Sequence, residues 1–239
     1  MQRRLVFLLL IWLLQGCDKA TASSSDPPIE GSCASREFSG EGTYYGADGS
    51  GNCSYPKTPD DHRVAAMNQA DYSGSAACGA CAEVDGPQGT LIVRIVDRCP
   101  ECRPGDLDLG TKAFAEIANP EAGRVAISWR YVPCETQGAV RFLFKDGSSQ
   151  WWTAVQVRNH RHAITLFEYR MASAPYKPIS RTNYNYFLEA AGMGRGPFDF
   201  RLSDVNGNVL EETGIPLELD REISGKGQFP PCQPQDEAP

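Results

Sequence analysis

The chain has 239 residues, of which 41% are hydrophobic and 22% are charged, a composition typical of globular proteins and unlike that of disordered ones. Its formal net charge of -7 at pH 7 argues against a general nucleic-acid binder, which usually carries a basic patch or stripe. The 23 glycines and 17 prolines indicate a protein rich in turns and strands, and the length allows one or two domains.

Residues 1–16 have the pattern of a signal peptide. Two arginines precede an apolar run over residues 5–14, which is too short to span a membrane as a helix. The run ends in Leu-Gln-Gly before Cys17, which resembles a bacterial lipobox and predicts lipidation of Cys17. The alternative is an ordinary secretory signal that is cut elsewhere. Residues 17–35 are then the lipid anchor and a flexible tether, because they are small and polar and include prolines.

The other cysteines are even in number, which favours disulfides in an exported chain. They are Cys33, Cys53, Cys78, Cys81, Cys99, Cys102, Cys134 and Cys232. A zinc ribbon is the competing interpretation, because one Cys-x-x-Cys pair lies at 78–81 and a second at 99–102. An oxidising compartment favours disulfides over zinc, but the spacing leaves their pairing open.

Cysteine content and charge divide the chain near residues 135–138. Residues 36–135 hold six of these eight cysteines and are acidic, whereas residues 136–231 hold none and are close to neutral. The simplest interpretation is a first domain over 36–135 and a second over 139–231, with a short joint between them.

In the first domain, alternating apolar residues predict strands over 90–96 and 124–132, and helical spacing predicts a short helix over 111–119. The second domain has almost only strand signals, over 140–144, 153–157, 164–169 and 198–202, with turn signals between them. This spacing of strands indicates a small β-sandwich.

Asp97 and Asp108 are the candidate chemical groups of the first domain. Asp97 ends an apolar strand, and Asp108 lies between Leu107 and Leu109 just before the predicted helix. A carboxyl group among apolar neighbours tends to have a raised pKa, which suits a general acid. The alternative is that Asp108 caps the helix that starts near Thr111, or binds loop amides.

Trp151 and Trp152 are adjacent at the start of a predicted strand. A tryptophan pair of this kind is usual in a hydrophobic core. Neighbours on a regular strand face opposite sides, so both rings reach one surface only if Trp151 lies in a turn or bulge. Such a surface would be a flat platform on which the apolar face of a sugar ring can stack.

Four motifs, in this order, resemble those of bacterial expansins. They are Gly42-Thr43-Tyr44-Tyr45-Gly46, Cys78-Gly79-Ala80-Cys81, Asp97 followed by Leu107-Asp108-Leu109, and the segment from Trp151-Trp152 to Asn159-His160. The resemblance covers residues 36–231. It implies an all-β protein in which a six-stranded double-psi β-barrel, related to one found in glycosidases, precedes an immunoglobulin-like β-sandwich that binds cellulose.

The resemblance also implies roles for individual residues. The barrel groove would hold Thr43, Tyr44, Asp97 and Asp108, with Asp108 indispensable. The sandwich would bind polysaccharide through Trp151, Trp152 and Tyr184, with Lys145 nearby; for Tyr184 the alternative is a core aromatic. The family's disulfides imply Cys53–Cys78 and Cys81–Cys134, which leaves Cys99–Cys102 and Cys33–Cys232.

The resemblance implies non-hydrolytic loosening of plant cell walls, so we expect a binding protein and not an enzyme, with no cofactor and no metal. The acidic charge favours cellulose and other neutral glucans over anionic pectin or peptidoglycan, to which binding would be weak. Cys99 stands where some relatives carry a tyrosine, so an aromatic groove contact is lost or supplied elsewhere. We expect an exported monomer that is lipid-anchored at the cell envelope, or otherwise secreted, and that binds no nucleic acid.

Two other functions stay open. The first is a glycoside hydrolase or lytic transglycosylase on the same barrel, with Asp108 as the acid; hydrolysis with inversion also needs a base about 6.5–9.5 Å away. Residues 43–46 contain no carboxylate, and we expect the next one, Asp48, to be a solvated turn residue. The second is a cellulose-binding adhesion module in which the barrel has no activity of its own.

Overall fold

The computed structural model describes Cys33 and residues 36–232. The expected signal peptide (1–16), the lipidation site Cys17 and, apart from Cys33, the tether (17–35) lie outside the described residues. Within the described part, no helix has the length and apolar character needed to cross a membrane.

The first half forms a closed barrel. Its strands are β1 Glu37–Tyr45, β2 Val64–Asn68, β3 Cys81–Gly86, β4 Gly89–Cys99, β5 Leu107–Gly110 and β6 Val125–Val132. Two short helices, α1 Gln69–Tyr72 and α2 Thr111–Ile117, and the 3₁₀ turns Ser73–Ser75 and Pro120–Ala122 connect them. Around the barrel the order is β1-β5-β2-β4-β3-β6, with β1–β5 and β2–β4 parallel and the other pairs antiparallel. The expected six-stranded double-psi barrel is confirmed.

The sequence pattern predicted β4, β6 and α2 close to their observed positions, whereas β1, β2, β3 and β5 were not predicted as strands. The predicted helix over 111–119 ends at Ile117, because Ala118 is extended and Asn119 begins the next 3₁₀ turn with a side-chain cap. Strand β2 was not predicted, because all five of its residues are buried and an alternating pattern is therefore missing.

The loop before β5 is anchored to the barrel wall. Trp129 Nε1 donates a 2.8 Å hydrogen bond to the Gly105 carbonyl, and the Trp129 ring stacks on Phe38 at 4.1 Å. Gly40 lies so close to this loop that a Cβ there would be 2.4 Å from the Gly105 backbone, so only glycine fits. These contacts set where β5, and Asp108 on it, lies against β1.

The second half forms two packed sheets. Its strands are β7 Arg141–Phe144, β8 Thr153–Arg158, β9 Ile164–Arg170, β10 Lys177–Pro178, β11 Ser180–Arg181, β12 Phe187–Glu189, β13 Phe198–Asp204, β14 Val209–Ile215 and β15 Glu222–Ser224. One sheet has the order β10-β9-β13-β14 and the other β11-β12-β8-β7-β15. The four predicted strands are present as β7, β8, β9 and β13, and the shorter or more exposed strands were not predicted.

The core between these sheets is aromatic. Along β13, Phe198, Phe200 and Leu202 are buried and alternate with half-buried residues, as expected for a strand with one face in a core. The Phe200 ring lies 4.8 Å from Phe167 on the neighbouring strand β9 and 5.0 Å from Phe142 on β7 of the other sheet. Burial of these side chains holds the sandwich together.

Four disulfides occur in the described residues: the two pairs that the family resemblance implied and the two that were then left. They are Cys33–Cys232, Cys53–Cys78, Cys81–Cys134 and Cys99–Cys102. The zinc-ribbon alternative is therefore wrong, because each cysteine of the two Cys-x-x-Cys pairs is bonded to another cysteine.

Candidate functional site

Asp108 and Thr43 form the centre of the barrel groove. Strands β1 and β5 pair in parallel with Thr43 opposite Asp108, and Thr43 Oγ1 donates a 2.7 Å hydrogen bond to Asp108 Oδ1. Leu107 and Leu109 are buried, so Asp108 faces the other side of the strand and is half-buried. Helix α2 begins after Gly110 without a side-chain cap, so the alternative role of Asp108 as a helix cap is wrong.

The surroundings of Asp108 raise the pKa of its carboxyl group above the ordinary value. Burial is the main cause, because it disfavours the charged form, and the negative charges of Glu101 and Asp97 act in the same direction. The hydrogen bond from Thr43 opposes them. Asp108 thus keeps its proton to a higher pH than a free aspartate, and a protonated carboxyl can donate a hydrogen bond to an oxygen of a ligand.

The groove has a cavity of about 400 Å³ beside Asp108. It is lined by Thr43, Tyr44, Cys99, Glu101, Cys102, Arg103, Asp106, Asp108 and Arg124. The structure thus brings three of the four expected groove residues together, and it adds charged residues that sequence analysis missed. Among the added residues, Asp106 accepts hydrogen bonds from the amides of Glu41 and Arg103 at 2.8 and 2.9 Å and so holds the loop.

Asp97, the fourth expected groove residue, does not line this cavity. Its Oδ1 accepts hydrogen bonds from the backbone amides of Asn52 at 2.6 Å and Arg98 at 2.8 Å. Asp97 acts on Asp108 through its charge and fixes the neighbouring loop at Asn52.

Tyr45, to which the sequence pattern gave no role, does not line the cavity but lies close enough to Asp97 and Asp108 to be affected by their charges. Its hydroxyl is buried and has no hydrogen-bond partner among the described residues. Burial and the charges of Asp97 and Asp108 raise its pKa, so the hydroxyl stays protonated. Alternation along β1 was the available signal, because Tyr45 lies on the same face as Thr43 and Tyr44 does not. Tyr44 instead donates to the Pro120 carbonyl.

Asp48 lies in the loop after β1 and is partly exposed. It accepts a hydrogen bond from the amide of Ser50 and forms a 2.8 Å ion pair with Lys57. These contacts hold the pKa of Asp48 well below its usual range. A carboxylate of such low basicity is poorly matched to the role of a general base near neutral pH.

Trp151 and Trp152 lie outside the sandwich core. Trp151 is in the turn between β7 and β8 and is 74% exposed, whereas Trp152 is half-buried and forms a single bridge with Ser149. By alternation Trp152 shares a face of β8 with Gln156, whose Nε2 donates a 2.9 Å hydrogen bond to the Cys53 carbonyl of the barrel. The tryptophans therefore lie where the barrel-facing side of this sheet emerges into solvent.

Tyr184 lies in the turn between β11 and β12 and is half-buried, whereas Tyr186, 6.0 Å away ring to ring, is the buried aromatic. Lys145 Nζ lies 5.3 Å from the Tyr186 ring centroid. Strands β8 and β12 are antiparallel, and Trp152 and Tyr184 lie beyond their paired residues in opposite directions. At roughly 3.3 Å per residue the two are separated by about 20 Å along the strands, a length that suits an extended chain.

Among the described residues, one group of possible metal ligands brings His162 close to Cys33 and Cys232. The two sulfur atoms are joined in a disulfide and are therefore not thiolate ligands. His160 Nδ1 contacts the His162 carbonyl at 2.8 Å, and burial lowers its pKa to about 4. Both residues are buried structural histidines.

A larger cleft of about 790 Å³ lies between the barrel and the sandwich. Its arginines are compensated: Arg94 pairs with Asp61 at 2.7 Å, and Arg158 pairs with Glu222 at 2.7 Å. Arg94 and Arg158 also flank the ring of buried Tyr55. Arg94, Arg158 and the ring of Tyr55 thus already have partners within the protein.

The chain is similar to proteins of one family. A family model described as "Lytic transglycolase" matches residues 39–129. Expansin-YoaJ of Bacillus subtilis is 35% identical over 179 residues, which cover 73% of this chain and 76% of that protein. Expansin-like protein 1 of Dictyostelium discoideum is 27% identical over 94% of this chain and 80% of its own length.

Solved structures of an expansin are also similar to this chain. The crystal structure of an expansin from Clavibacter michiganensis matches with a TM-score of 0.76 and 30% identity, over 83% of this chain and all of that one. A mutant of the same expansin, solved in complex with cellohexaose, matches equally well.

Proposed function

The chain belongs to the expansin family, and on that premise we propose that it binds cellulose and loosens plant cell walls without hydrolysis. The observation that carries the proposal is the combination of two surfaces. One is the groove, centred on Asp108 and Thr43. The other is the platform, formed by Trp151, Trp152 and Tyr184. A related expansin has been solved with cellohexaose, which supports a glucan chain as the ligand.

The platform holds the chain by stacking. Trp151 is exposed and Trp152 and Tyr184 are half-buried, so part of each residue is accessible to solvent. The apolar faces of successive sugar rings cover these aromatic faces while the hydroxyl groups stay hydrated or bind polar neighbours such as Lys145. Because the platform is elongated, it selects an extended glucan.

The groove acts on contacts between glucan chains. The pKa of Asp108 is raised by burial, and in its protonated form the carboxyl group donates a hydrogen bond to a sugar oxygen while Thr43 holds it in place. Such a bond replaces one that the oxygen makes to a neighbouring chain. No covalent bond breaks, so the chains separate locally without release of sugar, and the protein is not an enzyme.

The net charge and the disulfides indicate which polymers the protein binds and where it is located. The net charge of -7 favours neutral glucans over anionic polymers, with weak binding to peptidoglycan. Four disulfides are typical of an oxidising compartment outside the cytoplasm. We place the roles in two domains, 36–135 and 139–231, on a chain exported by residues 1–16 and anchored through a lipid on Cys17. Mass spectrometry of the mature N-terminus tests the anchor.

Lytic cleavage is the second candidate, because the barrel matches a family described as "Lytic transglycolase" and contains a carboxyl group with a raised pKa. Its weakness is the missing base. In the groove Asp106 is held by two backbone amides, and Asp48 is a low-pKa turn residue. Glu101 is the remaining carboxylate of the cavity and is exposed.

The deciding experiment measures two quantities on the same preparations: soluble sugar released from amorphous cellulose and from peptidoglycan, and the extension of cellulose sheets under constant load. We expect no sugar release and faster extension. Asp108→Asn should abolish the extension with binding intact, and Trp151→Ala should weaken binding roughly 10-fold, as is common for an exposed aromatic anchor.

Matched controls are Asp60→Asn, an exposed acid, and Val209→Ala, an exposed apolar residue on β14. Both should behave as the unmodified protein. Sugar release that Asp108→Asn abolishes would replace the proposal with lytic cleavage. Binding without any extension would leave a cellulose-binding adhesion module.

A further inference from the structure

Asn52 and Tyr72 of the barrel bind the turn of the sandwich that carries Tyr184. We propose that Asn52 and Tyr72 are positioning residues that fix Tyr184 relative to the groove, so that platform and groove act on one glucan chain. The inference rests on the proposed function, because it concerns how the cellulose-binding surface is assembled.

The carbonyl of Asn183, next to Tyr184, is the centre of this contact. It accepts hydrogen bonds from Asn52 Nδ2 at 2.7 Å and from the Tyr72 hydroxyl at 3.1 Å. Asn52 Nδ2 also donates to the Tyr72 hydroxyl at 2.7 Å. Both amide protons and the hydroxyl proton are therefore used, and the three groups form a closed set. Tyr72 is 1% exposed, so water does not compete for its hydroxyl.

The residues on either side of Asn183 are bound by the barrel as well. The Ser75 hydroxyl donates to the Thr182 carbonyl at 2.7 Å, and the Ser54 hydroxyl donates to the Tyr184 carbonyl at 3.0 Å. Asn185 is buried with a left-handed backbone (φ 65°), and its Nδ2 donates to a barrel carbonyl at Cys53. Four consecutive residues, 182–185, are thus hydrogen-bonded to the barrel. We call these four residues the Tyr184 turn.

The barrel segments that hold this turn are themselves fixed. The Cys53–Cys78 disulfide joins the segment around Asn52 to the one that follows Tyr72. The amide of Asn52 donates to Asp97 beside the groove, while its side chain donates to the Tyr184 turn. One residue therefore connects the surroundings of the groove to the platform. Tyr184 is therefore held by the barrel in addition to contacts within the sandwich, such as the 2.7 Å hydrogen bond from the Thr182 amide to the Tyr186 carbonyl.

A double-mutant cycle separates this role from simple stabilisation of the interface. Tyr72→Phe removes one hydroxyl, Asn52→Ala removes the amide but keeps the backbone bond to Asp97, and each is combined with Tyr184→Ala. The readout is the dissociation constant for amorphous cellulose with the full protein, with a thermal melt for every variant. Tyr131→Phe, the same chemical change at a barrel tyrosine on β6, is the matched control.

We expect Tyr72→Phe and Asn52→Ala each to weaken binding about 3- to 10-fold, the range for loss of one or two hydrogen bonds. In the Tyr184→Ala background the same changes should have less than about 1.5-fold effect, because the ring they position is gone. Tyr131→Phe should leave binding unchanged in both backgrounds.

Each contrary result has a distinct meaning. If Tyr184→Ala weakens binding while Tyr72→Phe and Asn52→Ala do not, the positioning role is wrong and the platform stands. If Tyr72→Phe and Asn52→Ala weaken binding equally with and without Tyr184→Ala, and also lower the melting temperature, the contact only stabilises the interface between the domains. That result would overturn the inference. If neither Tyr184→Ala nor Trp151→Ala affects binding, the proposed platform fails, and the positioning role fails with it.

Discussion

Asp108 and Asp97 are carboxylates at the same end of the barrel, but they have different roles because their surroundings differ. Asp108 is half-buried with a single side-chain partner, Thr43, so burial dominates and its pKa rises. Asp97 receives two backbone amides and supports the loop at Asn52. Residue type alone did not distinguish them; the number of hydrogen bonds that each carboxylate accepts did.

His160 carries a prediction about pH. Burial lowers its pKa to about 4 from an ordinary value of 6.5, so the unfolded chain binds a proton more readily between these values. The free energy of unfolding should therefore fall as the pH drops through this window, by up to about 1.4 kcal/mol per pH unit. Urea unfolding at pH 4.5, 5.5, 6.5 and 7.5 measures the slope.

His160→Gln should flatten that slope, because glutamine does not titrate. His62→Gln is the control, since His62 is partly exposed and contacts Lys112. An unchanged slope in the His160 variant would show that another group is responsible. Gly79 is needed at this contact, because a Cβ there would lie 2.6 Å from His160 Nε2 and its φ is +76°.

At the scale of elements, disulfides join segments whose separation in the chain differs widely. Cys81–Cys134 connects the start of β3 to the chain just after β6, 53 residues apart, whereas Cys99–Cys102 closes a separation of 3. A crosslink restricts the unfolded chain more when the loop it closes is longer. The two disulfides therefore have different roles. Cys81–Cys134 stabilises the barrel, whereas Cys99–Cys102 shapes the wall of the groove.

Removal of each bond tests this distinction. Replacing both cysteines of Cys81–Cys134 by alanine should lower the free energy of unfolding by about 4 kcal/mol, and the same change at Cys99–Cys102 by about 2 kcal/mol. The second variant should lose sheet extension more than binding, because Cys99 and Cys102 line the groove. Equal losses of stability from chemical denaturation would contradict the loop-length argument.

At the scale of the whole molecule, an acidic chain presents aromatic and hydrogen-bonding groups to its ligand. With a net charge of -7, long-range attraction cannot account for binding to an uncharged glucan, so we expect stacking at the proposed platform to provide it. We also expect the charge to disfavour anionic polymers as ligands.

Salt dependence measures that contribution. Binding to amorphous cellulose should change less than about twofold between roughly 0.05 and 0.5 M NaCl, because screening of charges does not affect stacking. Binding to pectin should be weak at low salt and should rise with salt as repulsion is screened. Depletion isotherms on both polymers provide the values. A steep loss of cellulose binding with salt would instead indicate that charged groups such as Lys145 dominate.

The fold class followed from local patterns in the sequence. Alternation of apolar residues placed strands near β4, β6, β8 and β13, and ordered motifs carried the resemblance to expansins. The strand positions and the motifs depend on residues a few positions apart, which is the range over which strand periodicity acts. The apolar neighbours Leu107 and Leu109 also predicted a raised pKa for Asp108, and the direction is right. The cause differs, because the two leucines face the other side of the strand and Asp108 is buried in the groove.

Tertiary structure decided what depends on distant residues. Thr43 meets Asp108 across 65 positions because β1 and β5 pair in parallel, and the same register turns Tyr45 toward the carboxylates. Asn52 meets Asn183 across 131 positions. Hydrogen-bond partners at such distances are set by strand order and register, which a local pattern does not contain, so the assembly of groove and platform emerged only from the folded chain.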